Sequence, residues 1–166
     1  MPNRAYLSLG SNVGNREANL REASAALEKV GRVVAVSSFY ETEPVEFTAQ
    51  EWFLNCVVLL ETEKMPSQLL RALLSVEQTM GRQRLQRKGP RNIDIDILLF
   101  GDSVVNTKDL TIPHPAMHDR RFVLEPLAEI APDARHPVLK ETVRELLESL
   151  PPGQIVRKLA PKTTER

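Results

Sequence analysis

The sequence predicts an α+β fold, a ferredoxin-like sandwich with a mostly antiparallel sheet and helices on its faces. Strand-like and helix-like runs follow one another in the order β-α-β-β-α-β, with further helices after them. The chain has 166 residues, 42% of them apolar, which is enough for one well-buried core. It shows no internal repeat and no domain linker, so a single domain over residues 1–150 is expected, with 151–166 as a C-terminal tail.

Residues 4 to 10 alternate apolar and polar and read as the first strand. Ser11-Asn12-Val13-Gly14-Asn15 is a glycine-bearing turn that opens a helix, with Asn15 as N-cap and Glu17 in the first turn. Leu20, Ala23, Leu27 and Val30 form the helical stripe, and Gly31 ends it. A strand-glycine-helix unit can bind phosphate, but this one lacks the Walker and dinucleotide spacings and reads as a structural turn. Residues 32–42 read as a second strand, 43–51 as a loop and 53–62 as a third strand. Asn55 places an amide inside that apolar strand. It can bond a neighbouring loop, or it can recognise a polar heterocycle, since an amide both donates and accepts. Pro66-Ser67 opens the second helix, with Leu69, Leu73, Val76 and Met80 as its buried stripe and Gly81 as its stop. Beyond the fourth strand come a short apolar piece (103–106), a loop (107–118) containing Ile112-Pro113-His114-Pro115, and a helix (119–130) that Pro126 bends or begins. A last amphipathic helix follows at 142–150, and a frayed proline- and charge-rich tail is expected from Pro151.

The fourth strand carries the chemistry. Between Gly89-Pro90 and Gly101-Asp102 lies a run of branched apolar residues interrupted by Asp94 and Asp96. Residues two apart on a strand share a face, so the two carboxylates stand side by side, roughly 6 to 7 Å apart at the backbone. A hard divalent cation such as Mg²⁺, arriving with substrate phosphates, relieves their repulsion. A solvated strand face with two exposed aspartates is the other reading. Just upstream, Arg82, Arg84, Arg87, Lys88 and Arg91 fall within ten residues without an intervening acid. Guanidinium groups grip phosphate oxygens, so a cationic loop feeding a di-aspartate strand has both halves of a nucleotide site. A solvated charge run or a nonspecific nucleic-acid patch is the alternative.

Basic and acidic residues balance at 22 each, which removes any global bias toward nucleic acid or anionic membrane. The single cysteine, Cys56, excludes an internal disulfide framework and reads as a small core residue. No apolar run reaches membrane-spanning length and the N-terminus lacks a signal-peptide core, so a soluble, cytoplasmic protein is expected.

Several segments occur together and in order: Arg4-Ala-Tyr-Leu-Ser-Leu-Gly-Ser-Asn12, Ser37-Ser-Phe-Tyr40, Phe53-Leu-Asn55, Gly81-Arg82, Gly89-Pro-Arg-Asn-Ile-Asp-Ile-Asp-Ile-Leu-Leu-Phe-Gly101 and Ile112-Pro-His-Pro115. In these the chain resembles the 6-hydroxymethyl-7,8-dihydropterin pyrophosphokinase family of folate biosynthesis, over about residues 4 to 150. The Gly-Pro-Arg-x-x-Asp-x-Asp segment is the most specific part. The resemblance implies transfer of pyrophosphate from ATP to the pterin hydroxymethyl group, with release of AMP. It implies Asp94 and Asp96 as ligands of two Mg²⁺ ions, and Arg82 and Arg91 as phosphate-gripping arginines that act with them in catalysis. Arg84, His114 and Arg120 match further positions facing the ATP phosphates. Glu77, Ile97, Lys108 and Thr111 match the lining of the nucleotide pocket. Thr42, Pro44, Val45, Phe53, Asn55 and Phe122 match the pterin pocket, with Phe53 and Phe122 stacking on the flat ring. The expected partners are ATP and a dihydropterin, without nucleic acid or membrane, and a monomer is expected.

The chain departs from the family pattern at Lys88, where many members carry a tryptophan, and at Pro115, where an aromatic residue is often seen. The basic loop is about a residue shorter than in some members. These departures bear on how the loop packs over the pterin. Two other readings compete: another Mg-dependent nucleotidyl or phosphoryl transferase on the same scaffold, and an RNA-binding ferredoxin-like module. The first would lack the pocket of Phe53, Asn55 and Phe122. The second would need an aromatic RNA-binding signature that the strands do not carry.

Overall fold

A computed structural model describes residues 2–43, 51–81 and 92–159. The elements are β1 (Asn3–Ser11), α1 (Arg16–Leu27), β2 (Arg32–Val36), β3 (Tyr40–Thr42), β4 (Phe53–Thr62), α2 (Pro66–Thr79), β5 (Asp94–Phe100), β6 (Val105–Asn106), β7 (Thr111–Ile112), α3 (Arg121–Ile130), α4 (Val143–Glu148) and β8 (Val156–Lys158). A single 3-10 turn, Met117–Asp119, precedes α3. The main sheet has the order β5-β1-β4-β3-β8, and β2 pairs with the far end of the same edge of β4. Every pairing within it is antiparallel. β6 and β7 form a separate two-stranded ribbon.

Strand alternation divides the apolar residues between two cores. Ala5, Leu7 and Leu9 of β1, Leu54, Cys56, Val58 and Leu60 of β4, and Ile95 and Ile97 of β5 meet Leu20, Ala23 and Leu27 of α1 and Leu69 and Leu73 of α2. Each fully buried leucine contributes about 1.5 to 3 kcal/mol. Burial in this core pushes the Cys56 thiol up to about 12, so it remains protonated and inert. On the opposite sheet face, Val57, Leu98 and Leu99 pack against Val123, Leu124 and Leu127 of α3 and Val143 and Leu146 of α4.

The helix starts follow their sequence signals. Asn15 Oδ1 accepts the Ala18 N–H at 3.0 Å, as an N-cap does. Thr142 and Glu145 form a capping box: Thr142 Oγ1 accepts the Glu145 N–H at 3.2 Å, and Glu145 Oε1 accepts the Thr142 N–H at 2.8 Å. Gly81 closes α2 with φ +80°, a conformation that only glycine adopts without strain.

Two expectations are corrected. The strand expected over 32–42 is two strands, β2 and β3. The strand is interrupted at Ser37–Phe39, where Ser37 Oγ accepts the Val57 N–H at 2.9 Å and Ser38 turns its N–H and hydroxyl to Glu129. Of the two positions the sequence left open for Pro126, the structure shows the one inside the helix, within α3. The segment expected to fray from Pro151 contains β8, which covers the outer edge of β3 in the register Thr42↔Val156, Glu41↔Arg157 and Tyr40↔Lys158.

Candidate active site

The candidate site lies on the α3 side of the sheet, at the end where apolar packing stops. Asp94 and Asp96 stand on the same face of β5, half-buried. Across the ladder, Asp94 faces Gly10 and Asp96 faces Ser8. The row continues from Gly10 to Asn55 on β4 and from Asn55 to Tyr40 on β3. Strand spacing therefore puts Asp94 and Asn55 roughly 10 Å apart, with no side chain on the glycine between them. Phe53 and its register partner Thr42 share this face one step along.

The two ends of the row differ in chemistry. At the β5 end, Glu77 of α2 is buried, and its Oε2 accepts the Ile95 N–H at 2.7 Å, which fixes the free edge of the aspartate strand. The His114 N–H donates to the Leu98 carbonyl at 2.9 Å and ties the loop after β7 to the same edge. His114 Nδ1 accepts the Ala116 N–H at 3.1 Å, so the proton of the neutral ring sits on Nε2. Burial, then repulsion from Arg120, holds this imidazole at about 4 against an opposing pull from Asp94, so it is neutral at physiological pH. Arg120 lies 5.5 Å from the centroid of the Phe122 ring, a cation–π pair at the entrance to α3.

At the β3–β4 end, Asn55 is 4% exposed and Thr42 is 2% exposed. Among the described residues, Asn55 Oδ1 and Thr42 Oγ1 are buried polar atoms without a hydrogen-bond partner. Such atoms are costly unless something polar meets them. Phe53 and Phe122 are both partly exposed.

The structure thus brings Asp94, Asp96, His114, Arg120, Phe122, Asn55, Phe53 and Thr42 to one sheet face and its rim. Ile97 is 5% exposed and packs in the core beneath α1 and α2, so its side chain points away from that face. Lys108 and Thr111 are exposed on the β6–β7 ribbon, and Pro115 is exposed beside His114. Pro44, Val45, Arg82, Arg84, Arg87, Lys88 and Arg91 lie outside the described residues. Sequence reasoning did not assign Ser8 or Gly10 to the site, although Gly10 belongs to the Gly-Ser-Asn turn that signalled it. Nor did it find Glu129, which accepts the Tyr40 hydroxyl at 2.6 Å and links α3 to β3.

The donor set at Asp94 and Asp96 suits a hard cation. Both ligands are carboxylates on one face, and among the described residues no group of three or more His, Cys, Asp or Glu could enclose a metal by itself. That is the situation of Mg²⁺, which binds through one or two carboxylates and completes its shell with water and substrate phosphate. Among the described residues, no helix is long and apolar enough to cross a membrane.

A family model described as 7,8-dihydro-6-hydroxymethylpterin-pyrophosphokinase (HPPK) matches residues 6–132. The chain is 47% identical over 156 residues to the 2-amino-4-hydroxy-6-hydroxymethyldihydropteridine pyrophosphokinase of Methylorubrum extorquens, covering 93% of this chain and 98% of that protein. Its identity to the Bacillus subtilis protein of the same name is 48% over 132 residues, covering 78% of this chain and 79% of the relative. It is 46% identical over 149 residues to the folic acid synthesis protein fol1 of Schizosaccharomyces pombe; there the match covers 89% of this chain but only 20% of the longer protein. A Plasmodium falciparum HPPK-DHPS structure superposes with a TM-score of 0.74 at 20% identity, covering 89% of this chain and 43% of that one, which speaks to the fold alone. With the family model matched over most of its length, the chain belongs to the 7,8-dihydro-6-hydroxymethylpterin pyrophosphokinase family.

Proposed function

We propose that the chain transfers the β,γ-pyrophosphoryl group of ATP to the hydroxymethyl oxygen of 6-hydroxymethyl-7,8-dihydropterin, and that the row from Asp94 to Asn55 is where it does so. The reaction is that of the family to which the chain belongs and of the relatives named for it. The observation that carries the placement is the pair of buried, unpartnered atoms, Asn55 Oδ1 and Thr42 Oγ1, two and three strands from the aspartates. A pterin is flat and carries amide-like donors and acceptors on one edge. In this reading that edge meets Asn55, Thr42 and the chain at Pro44 and Val45, while Phe53 and Phe122 stack on the ring faces.

The nucleotide occupies the β5 end. Asp94 and Asp96 would hold two Mg²⁺ ions, which when bound neutralise charge on the phosphate oxygens. His114 offers its Nε2–H to a phosphate oxygen, and Arg120 brings a fixed positive charge. Arg82, Arg84 and Arg91 are proposed to grip the phosphates from the basic loop, and Glu77, Lys108 and Thr111 to define the nucleotide side. The hydroxymethyl oxygen attacks the β-phosphorus in line. The bond from that phosphorus to the α,β-bridging oxygen breaks, AMP leaves with the oxygen, and the hydroxyl proton is released. Charge accumulates on the bridging and β-oxygens, and positioned cations stabilise it without reorganising. No side chain is assigned as general base.

A cytoplasmic monomer acting on ATP and a dihydropterin, without nucleic acid or membrane, completes the reading. The family match does not favour the other transferase or the RNA-binding module. Asn55→Ala tests the placement. Calorimetry should show pterin affinity lowered about tenfold or more, with the affinity for a Mg²⁺ complex of a non-hydrolysable ATP analogue unchanged. Unchanged pterin affinity would contradict the pocket.

A further inference from the structure

The segment beyond Pro151 lies outside the residues matched by the family model, yet it is tied into the sheet beside the candidate pterin pocket. β3 has only three residues, and it carries Thr42 with its buried, unpartnered hydroxyl. A strand this short is weakly held by one partner. β8 supplies the second, with Val156 directly opposite Thr42. Side chains reinforce the ladder where β3 ends and β4 begins. Arg157 donates to Glu41 at 3.1 Å and lies 4.8 Å from the Trp52 ring centroid. Glu41 is shared with Arg16 at the start of α1 at 3.0 Å, and Arg16 also donates to the Trp52 carbonyl at 2.8 Å. One step on, Gln154 donates to the Glu43 carbonyl at 2.8 Å. The Ile155 N–H donates to the Glu43 carboxylate at 3.0 Å, and the Glu43 N–H returns a bond to the Ile155 carbonyl at 3.2 Å.

These contacts converge on the residues next to Thr42 and Phe53, the register pair proposed to face the pterin. Glu41 and Glu43 flank Thr42, and Trp52 precedes Phe53. We infer that β8 is a positioning element for the pterin half of the site, with Arg157 as its principal side chain: by clamping Glu41 and Trp52 it fixes where Thr42 and Phe53 present themselves. The inference rests on the pocket assignment made above. Arg157 is exposed and is not among the residues proposed to meet a ligand, so its effect is transmitted through the two strand ends. Only the pterin side is affected, because Asp94, Asp96 and His114 are held from β1, α2 and the loop after β7.

The test uses the full chain and calorimetric titration of 6-hydroxymethyl-7,8-dihydropterin in the presence of Mg²⁺ and a non-hydrolysable ATP analogue. The analogue is also titrated alone, and thermal melts are run beside both. Arg157→Ala should raise the pterin Kd about three- to tenfold, from loss of one ion pair and one cation–π contact, and leave the nucleotide Kd within about twofold. Arg157→Lys, which keeps a cation at both contacts, should return most of the affinity. Asn55→Ala serves as the reference. If Asn55→Ala weakens pterin binding and Arg157→Ala does not, β8 has no positioning role and the pocket assignment stands. If neither variant changes pterin binding, the pocket assignment fails and the inference falls with it. Equal weakening of both ligands by Arg157→Ala, with a lower melting temperature, would mark the clamp as general stabilisation and overturn the inference.

Discussion

The Asn55 amide nitrogen lies over Gly10, so close that a Cβ added to the glycine would sit 2.9 Å from Nδ2. The same atom would be 3.7 Å from Phe53 Cδ1. Gly10 is the link of the row between Asp94 and Asn55. Its missing side chain leaves room for the amide and keeps the floor between the two half-sites open. Gly10→Ala should therefore displace Asn55, lower pterin affinity about tenfold and cost about 1 kcal/mol of stability. Calorimetry and urea titration check both parts. Pterin affinity within twofold of the parent would show that the amide's position is unimportant.

Asp94→Ala and Asp96→Ala should each reduce turnover by at least about a hundredfold, because each removes one of the two carboxylates proposed to hold the cation. The fold should survive, since both side chains are half-buried at one end of a strand whose apolar residues are untouched. Steady-state rates with circular dichroism of each variant decide the matter. Appreciable turnover in the double variant would remove the aspartates from the metal site.

Glu129 joins α3 to the break between β2 and β3. Its carboxylate accepts the Tyr40 hydroxyl at 2.6 Å and the Ser38 N–H and hydroxyl, each at 3.0 Å. Burial, the largest influence, raises its pKa, but the Tyr40 and Ser38 bonds together outweigh it and the net displacement is downward. A carboxyl held below its unfolded value contributes stability that is present above that value and is lost as the pH falls through the folded one. Tyr40→Phe should cost about 1.5 kcal/mol at neutral pH, the scale of a hydrogen bond to a charged group. The loss should shrink in acid, as Glu129 protonates. Denaturant titrations at pH 7 and pH 3 measure this, and an equal loss at both would contradict it.

His136 is 5% exposed, and its Nδ1 accepts the Val138 and Leu139 N–H groups at 3.2 and 3.0 Å. Burial, then the neighbouring His118 ring, lowers its pKa. The unfolded chain binds the proton more readily, near pH 6.5, so the stability from neutral His136 is full above that pH and declines below it. Wild-type stability should fall between pH 7.5 and 5, and His136→Asn should flatten the decline. His114, also held low by burial, keeps part of the slope in the variant. Identical pH profiles for the two proteins would show that His136 does not titrate with folding.

Much of the candidate site's geometry was legible because its signals are local. Asp94 and Asp96 share a face by strand period alone, and Asn15 and Gly81 mark helix ends through a side chain or the lack of one. What escaped depends on distant partners. Nothing in Val156-Arg157-Lys158 reads as a strand without β3 beside it, and two prolines and a glycine just upstream favour a tail. The break at Ser37–Phe39 is invisible until Val57 and Glu129 supply the bonds that a continuous ladder would have used. Ile97 was assigned to the nucleotide side by resemblance, but the strand alternation that exposes Asp96 sends the Ile97 side chain into the core.

The most direct test of the central claim follows the nucleotide products by phosphorus NMR in a mixture of protein, Mg-ATP and 6-hydroxymethyl-7,8-dihydropterin. AMP formed only in the presence of the pterin, together with a new pterin diphosphate signal, is the predicted result. ADP, or consumption of ATP that does not depend on the pterin, would contradict it.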